Sequence, residues 1–213
     1  MDTDALIESL VSDLRPVPRR AVGTRLALGI AAGAVVAVAL IVLTIGINPD
    51  LAEVATRYPF WVKWSYSLSL GVLALAAVRR LARPGSRLPH WLWLLGLPVA
   101  MLAGIGIYEM SRVPSSQWLA MWLGKTWMIC PWLVLTLAMP IFIGLLWSFR
   151  RLAPTDLRAA GAVAGLAAGA IAATLYCLHC PEMSAIFVLT WYTLGIALAA
   201  SLGALVGPRL LRW

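Results

Sequence analysis

The amino-acid sequence predicts an all-α, polytopic membrane protein with six transmembrane helices and a short amphipathic helix at a cytoplasmic N-terminus. Hydrophobic residues make up 62% of the 213 residues and charged residues only 12%, unlike a water-soluble globule. The mean hydropathy is +0.87. A net charge of +8 would favour nucleic-acid binding in a soluble protein. Here the charges lie between apolar runs, so direct binding of nucleic acid is not expected.

Residues 3–14 are predicted to form the amphipathic helix. Acidic residues lie on its polar face, and Thr3 or Asp4 can cap its start. Pro16 and Pro18 end the helix. A helix this short becomes stable only against another apolar surface. The apolar residues have helical spacing and form one stripe: Leu6, Ile7, Leu10, Val11 and Leu14.

Three surfaces are candidates for covering this stripe. Helices that lie on a membrane surface usually carry Lys or Arg, and anionic lipid would repel this acidic polar face. The short, arginine-rich loops of the same chain offer little apolar area. The stripe fits best into a groove on a cytoplasmic partner protein, which would bind its apolar side chains at positions i, i+3, i+4 and i+7.

Six apolar segments are long enough to cross a hydrocarbon core, which takes about 17 to 25 helical residues. The first follows a charged preamble and has no convincing cleavage site, so it is not a signal peptide. The predicted domains are a cytoplasmic segment at 1–25, a membrane domain at 26–207 and a cytoplasmic tail at 208–213. The predicted spans are Leu26–Ile47, Val62–Val78, Pro89–Ile107, Met128–Trp147, Ala159–Cys177 and Ala185–Val206.

Lys and Arg in the short loops set the orientation, because positive flanks stay on the cytoplasmic side. One face holds only Arg57, Lys63, Arg112 and Lys125 of the 17 basic residues. Both termini are therefore expected in the cytoplasm of a bacterium, with Asp50, Glu109 and Glu182 facing the periplasm. The other face holds Arg15, Arg19, Arg20, Arg25, Arg79, Arg80, Arg83, Arg87, Arg150, Arg151, Arg158, Arg209 and Arg212.

Small residues at four-residue spacing indicate that the spans pack as a bundle. Gly161, Gly165 and Gly169 follow this spacing in the fifth span, as Gly29 and Gly33 do in the first, and such residues let helix backbones approach closely. The predicted spans carry no ionisable residue near the midplane, where a transporter usually needs one. The sequence shows no phosphate-binding loop, metalloprotease helix or Ser/His/Asp set, so an enzyme would depend on thiols alone.

The three cysteines fall at the outward face: Cys130, Cys177 and Cys180. Thiol chemistry is plausible in the periplasm, and an odd count leaves at least one thiol without a partner in the chain. Two pairings stay open, Cys177 with Cys180 or Cys130 with Cys180. A disulfide or a soft metal ion across the second pair would change helix packing, with His179 as a further ligand. Alternatively, the cysteines are only small apolar residues.

Two stretches of the chain carry a recognisable pattern. The opening has Thr3, Asp4, Leu6, Ile7, Leu10, Asp13, Leu14, Pro16 and Val17. The ending has Tyr176-Cys177-Leu178-His179-Cys180-Pro181-Glu182, then Phe187, Trp191-Tyr192-Thr193-Leu194-Gly195 and Gly207-Pro208-Arg209. With these residues the chain resembles the NrsF family of bacterial membrane anti-sigma factors. The similarity covers essentially the whole chain, and its ending is the more distinctive part.

The resemblance implies a negative regulator that holds an extracytoplasmic-function sigma factor at the inner membrane until a periplasmic signal arrives. Two outward cysteines sense metal or oxidant stress in that family, and Cys130 and Cys180 match their positions. Cys177 is an extra thiol. The resemblance implies no catalytic residue and no required cofactor; a soft metal ion would bind only transiently.

These observations assign two sites. The apolar stripe of the N-terminal helix is expected to bind the sigma factor, and Cys130 and Cys180 to sense the signal. Cys177, His179 and Glu182 are candidates for an accessory or metal-sensing role. The alternative is a membrane thiol oxidoreductase, which would need two communicating cysteine pairs and therefore four cysteines, whereas the chain has 3. A small transporter is a weaker alternative.

Overall fold

The computed structural model describes residues 3–12, 21–83, 85–86, 88–150, 152 and 154–212. Every regular element in these ranges is helical. Six helices are long and apolar enough to cross a membrane, which agrees with the predicted number of spans. They are Val22–Ile45, Tyr58–Leu81, His90–Ser111, Cys130–Phe149, Leu157–Tyr176 and Ala185–Leu210.

Helix α1, Thr3–Ser12, is the predicted amphipathic helix. Asp4 lies in its first turn, where a negative charge suits the helix dipole. Ile7 and Val11 of the apolar stripe are 53% and 58% exposed. Leu14, the prolines at 16 and 18, and the side chains of Leu6 and Leu10 lie outside the described residues. The described part of the stripe is thus open to solvent.

Helix α2, Ala21–Leu40, continues through a π-helical turn at Ile41–Ile45. It packs against helix α7, Cys130–Phe149. The predicted small residues lie at this contact, because a Cβ on Gly29 would overlap the backbone of Gly144. The missing side chains let the two backbones touch.

Helix α4, Tyr58–Leu81, extends beyond the predicted Val62–Val78 at both ends. Tyr and Arg occupy the added turns, and such residues lower the hydropathy while still suiting the membrane interface. Helix α5, Gly96–Ser111, follows a 3-10 turn at His90–Leu95. Short elements complete the connections, namely helix α3 at Leu51–Val54, a 3-10 turn at Ser115–Gln117 and helix α6 at Trp118–Leu123.

Helix α8, Leu157–Tyr176, lies at the centre of the bundle. It contacts α2, α4, α7 and the last long helix, α10. Asp156 caps its start by accepting a hydrogen bond from the Ala159 amide at 2.9 Å, which satisfies one free N–H of the first turn. Alanine and glycine dominate its sequence, so neighbouring helices can pack around all its faces.

The chain ends with helix α9 at Ala185–Phe187, a π-helical turn at Val188–Tyr192 and helix α10 at Thr193–Leu210. Helices α8 and α10 have the most extensive contact in the molecule's described part. A Cβ on Gly165 would overlap the carbonyl of Ala199, and one on Gly161 would overlap that of Gly203. The predicted glycine spacing in the fifth span therefore marks this helix pair.

The six long helices alternate in direction, so the bundle has two distinct ends. We call one the thiol end: α7 begins there at Cys130, and α8 ends there just before Cys177. The other is the arginine end, where α4 carries Arg79 and Arg80 and α10 carries Arg209 in their last turns. The cysteines and the arginine clusters thus lie at opposite ends, as the sequence predicts.

Candidate functional site

The bundle brings the three cysteines together at the thiol end. Cys130 is the first residue of α7, Cys177 follows the last residue of α8, and Cys180 lies in the loop after it. The Cys180 amide donates to the Tyr176 carbonyl at 3.0 Å, so the loop turns back over the end of α8. All three cysteines are free thiols, and none is more than 1% exposed.

Cys130 and Cys180 are neighbours that join the start of α7 to the loop after α8. Interaction with the Cys130 thiol is the main cause that lowers the pKa of Cys180 below its ordinary value. Burial opposes the shift, while the Lys63 ammonium and the Glu182 backbone amide support it. A thiolate is the nucleophile and the metal ligand of cysteine chemistry. The structure therefore brings together the two cysteines that the sequence analysis assigned to sensing.

Cys177 has a different environment. Its thiol donates to the Ala173 carbonyl one turn earlier, at 3.3 Å, and burial raises its pKa to about 11. It is therefore a protonated thiol at neutral pH, packed next to the pair.

Two tyrosines form one wall of this site. The rings of Tyr176 and Tyr192 have centroids 5.6 Å apart, and both side chains are buried. The Tyr176 hydroxyl lies within hydrogen-bonding reach of the Cys130 and Cys180 thiols. The Tyr192 hydroxyl is buried without an aligned hydrogen-bond partner among the described residues. Such a group is costly in an apolar interior, so it marks the side of the site where a polar ligand or water would be stabilised.

Lys63 also belongs to this site, a role that its position in the sequence did not reveal. The sequence places it at the start of the predicted span Val62–Val78, on the outward face, and in the structure it lies near the start of α4 beside the cysteine loop and is 1% exposed. Its ammonium donates to the Cys180 carbonyl at 2.7 Å and the Glu182 carbonyl at 3.2 Å. Its side chain shares a buried helix face with Ser67 and Leu70. That spacing of three and four residues was the available signal, because a lysine on such a face points into the bundle.

His179 and Glu182 hold the loop to its surroundings. The His179 ring nitrogen Nδ1 lies 2.9 Å from the Gly46 carbonyl oxygen. The centroids of the His179 and Tyr176 rings are 5.6 Å apart. Glu182 Oε1 accepts a hydrogen bond from the Lys125 amide at 2.7 Å. The described residues contain no group of three His, Cys, Asp or Glu side chains placed to hold a metal ion. A metal-sensing role for His179, Glu182 and Cys177 stays a prediction.

The loop around Gly124 packs directly on the cysteine loop. Gly124 has a φ of +57°, and a Cβ there would lie 2.8 Å from the Glu182 carboxyl carbon and from the Phe187 ring. Only glycine suits this combination of backbone angle and close approach. The neighbouring Trp191 indole donates to the Trp122 carbonyl at 2.8 Å. The loop around Gly124 is therefore closely packed against the cysteine loop at Glu182 and against the start of the last span at Phe187.

Helix α1 provides a second, separate candidate site. The exposed apolar side chains of Ile7 and Val11 stand one turn apart, while the acidic Asp4 and Glu8 are also exposed. Exposed apolar side chains at helical spacing are typical of a helix that docks in a partner's groove. The described residues thus support the predicted docking face at these two positions.

Comparison with known proteins gives a consistent result. The NrsF family, described as negative regulator of sigma F, matches residues 10–213. A probable anti-sigma-F factor NrsF of Azospira oryzae is 38% identical over 214 residues, covering 100% of both chains. An anti-sigma-F factor NrsF of Caulobacter vibrioides is 37% identical over 219 residues, again covering 100% of both. No solved structure matches the chain.

Proposed function

Because the chain belongs to the NrsF family, as its sequence predicted, we propose that it is a membrane anti-sigma factor. It sequesters a sigma factor at the bacterial inner membrane and releases it on a periplasmic signal. The names of its full-length relatives are the observation that carries this proposal. We further propose that the partner is of the extracytoplasmic-function class and that the chain acts by binding, without catalysis.

The apolar stripe of α1 binds the sigma factor in this proposal. It comprises Leu6, Ile7, Leu10, Val11 and Leu14. The exposure of Ile7 and Val11 supports this role. Each such side chain contributes about 1.5 to 3 kcal/mol when fully buried, before the cost of ordering both partners. Docking would mask surfaces that the sigma factor needs for RNA polymerase.

The experiment that tests this proposal compares two variants of the full-length protein, purified in detergent from its native cells. Ile7→Ala with Val11→Ala removes apolar area from the stripe and is expected to weaken sigma-factor capture roughly 30- to 1,000-fold, the equivalent of about 2 to 4 kcal/mol. Glu8→Ala, a truncation on the polar face, serves as the control. Equal capture by both variants would remove α1 as the docking site, and no sigma factor with any variant would contradict the anti-sigma function.

Cys130 and Cys180 provide the input. A soft metal ion can bridge the two sulfurs with release of the thiol protons. Alternatively, a hydroperoxide can take two electrons and two protons from the pair, which yields a disulfide, water and an alcohol. Either product changes how the start of α7 packs on the loop after α8. The burial of both thiols and their interaction with each other support this role.

Replacing both cysteines tests the input separately from sigma-factor binding. Cys130→Ser with Cys180→Ser is expected to retain sigma-factor capture but to abolish induction of the sigma-dependent genes by metal or oxidant. Cys177→Ser is the matched control, because that thiol is protonated and bonded to its own helix; it should induce normally. Normal induction in the double variant would refute the thiol sensor and leave the anti-sigma function standing.

A further inference from the structure

Lys63 is a buried cation that neither proposed role uses. Its side chain is 1% exposed inside a membrane-spanning helix, where a lysine is expensive and usually functional. Its ammonium donates to the Cys180 and Glu182 carbonyls at 2.7 and 3.2 Å, so one acceptor belongs to the sensing cysteine itself and the other follows it in the same loop. The side chain spans the gap between α4 and the cysteine loop.

The nearby carboxylates have other partners. Glu182 directs its carboxylate to the Lys125 amide at 2.7 Å, and Glu109 accepts from the Ala185 amide at 2.8 Å. The ion pair found within the described residues is Arg57 with Glu53. Lys63 therefore has no carboxylate partner among those residues. It is held by loop carbonyls and by its proximity to the Cys180 sulfur, so its position depends on the state of this loop.

We propose that Lys63 is a positioning residue that couples the Cys130 and Cys180 pair to helix α4. This inference rests on the proposed thiol input. Bridging the two sulfurs moves the backbone around Cys180, and the Cys180 and Glu182 carbonyls move with it. A buried ammonium that loses its acceptors is costly, so Lys63 follows them and shifts the first turns of α4.

A second contact spreads the shift to α10. One turn after Lys63, the Tyr66 hydroxyl lies 2.6 Å from the Thr193 hydroxyl, at the start of α10. Helix α4 continues from there to Arg79 and Arg80 at the arginine end. A displacement at Lys63 is therefore passed to two long helices, one of which reaches the opposite face of the bundle.

The test uses the full-length protein in lipid nanodiscs with its sigma factor bound. Ag⁺ is the probe, because it is a soft ion that takes two thiolates. Lys63→Met keeps the length of the side chain but removes the charge and the donors. Lys125→Met is the matched control, since Lys125 is exposed at the same end. Lys63→Arg keeps both charge and donors.

We expect Lys63→Met to capture the sigma factor normally but to need about 5- to 150-fold more Ag⁺ for half-release, the usual range of coupling between two sites. Lys125→Met should need the same Ag⁺ concentration for half-release as the parent. The concentration that Lys63→Arg needs should lie closer to the parent's than the one that Lys63→Met needs. Release from Lys63→Met at the parent's Ag⁺ concentration would overturn the coupling role while the thiol input survives. No release from the parent protein would overturn both.

A second measurement does not depend on the folding of Lys63→Met. Hydrogen exchange is followed in the parent protein with and without Ag⁺, and in the Cys130→Ser, Cys180→Ser double variant. We expect Ag⁺ to change exchange in the first turns of α4, around residues 58–67, only where the thiol pair is intact. Unchanged exchange in these turns while the sigma factor is released would contradict the proposal.

Discussion

At the scale of the residue, Cys180 depends on its neighbour Cys130. Interaction with the Cys130 thiol is the main cause of the lowered pKa of Cys180. A thiol with a lowered pKa is ionised over a wider range, so the reactive thiolate persists below the pH at which an ordinary cysteine loses it. The lowered pKa therefore favours the thiolate form of Cys180 more than in an ordinary cysteine.

Replacing Cys130 with Ala should reverse this effect. Without the Cys130 thiol the largest cause of the lowered pKa is lost, so the pKa of Cys180 should rise and its alkylation by iodoacetamide should move to higher pH. The measurement is the pH dependence of labelling at Cys180, resolved by peptide mass spectrometry. Cys177→Ala is the control, because Cys177 is not among the main causes that shift the Cys180 pKa. An unchanged midpoint in Cys130→Ala would show that Cys130 does not control the thiol.

The cysteines of the site could be predicted from the sequence, but their surroundings could not. Cys130 and Cys180 fall at the ends of predicted spans on the same side of the membrane, and span ends follow from local hydropathy. Lys63 and Tyr192 come from different helices, and only packing brings them to the thiols. The count of basic residues on each side of the membrane gave Lys63 to the outward face, but such a count does not show which face of a helix carries the residue.

At the scale of the element, the contact between α8 and α10 depends on glycines, which have no side chain to hold the two helices apart. Gly165→Ala would place a Cβ against the Ala199 carbonyl. We expect the substitution to separate the helices and to destabilise the protein by about 1 to 3 kcal/mol, the usual cost of overpacking. The measurement is thermal stability in detergent, followed by size-exclusion chromatography of the heated protein.

Gly104→Ala is the matched control for this prediction. Gly104 also lies inside a spanning helix, α5, but nothing lies within 4 Å of the position a Cβ would take. Alanine favours the helix over glycine by about 1 kcal/mol, so Gly104→Ala should be neutral or slightly stabilising. If Gly165→Ala were as stable as Gly104→Ala, close approach of α8 and α10 would not be needed for stability.

The helices themselves were largely predictable from the sequence. Apolar length is a local property, so all six spans were identified, with their ends displaced by a few residues. Helix α4 extends beyond the predicted Val62–Val78 at both ends, where Tyr58, Arg79 and Arg80 lower the hydropathy of turns that are still helical. The π-helical turns at Ile41–Ile45 and Val188–Tyr192 carry no such local signal.

At the scale of the whole molecule, the separation of thiol and arginine ends supports one orientation. If the arginine end is cytoplasmic, a fluorescent protein fused to the C-terminus should fluoresce. Alkaline phosphatase needs disulfides, which the periplasm permits, so its fusion after Pro114 should be active and its fusion after Ser86 inactive. Activity after Ser86 but not after Pro114 would reverse the orientation and place the thiols in the cytoplasm.

The central position of α8 has a consequence for biogenesis. Its alanines and glycines gain little from contact with lipid, and its packing partners α2, α4 and α7 precede it in the chain. During synthesis it therefore leaves the translocon beside three helices that are already inserted, and α10 closes over it last. The nascent protein itself provides the environment that receives α8, so the order of the helices along the chain is part of how the bundle assembles.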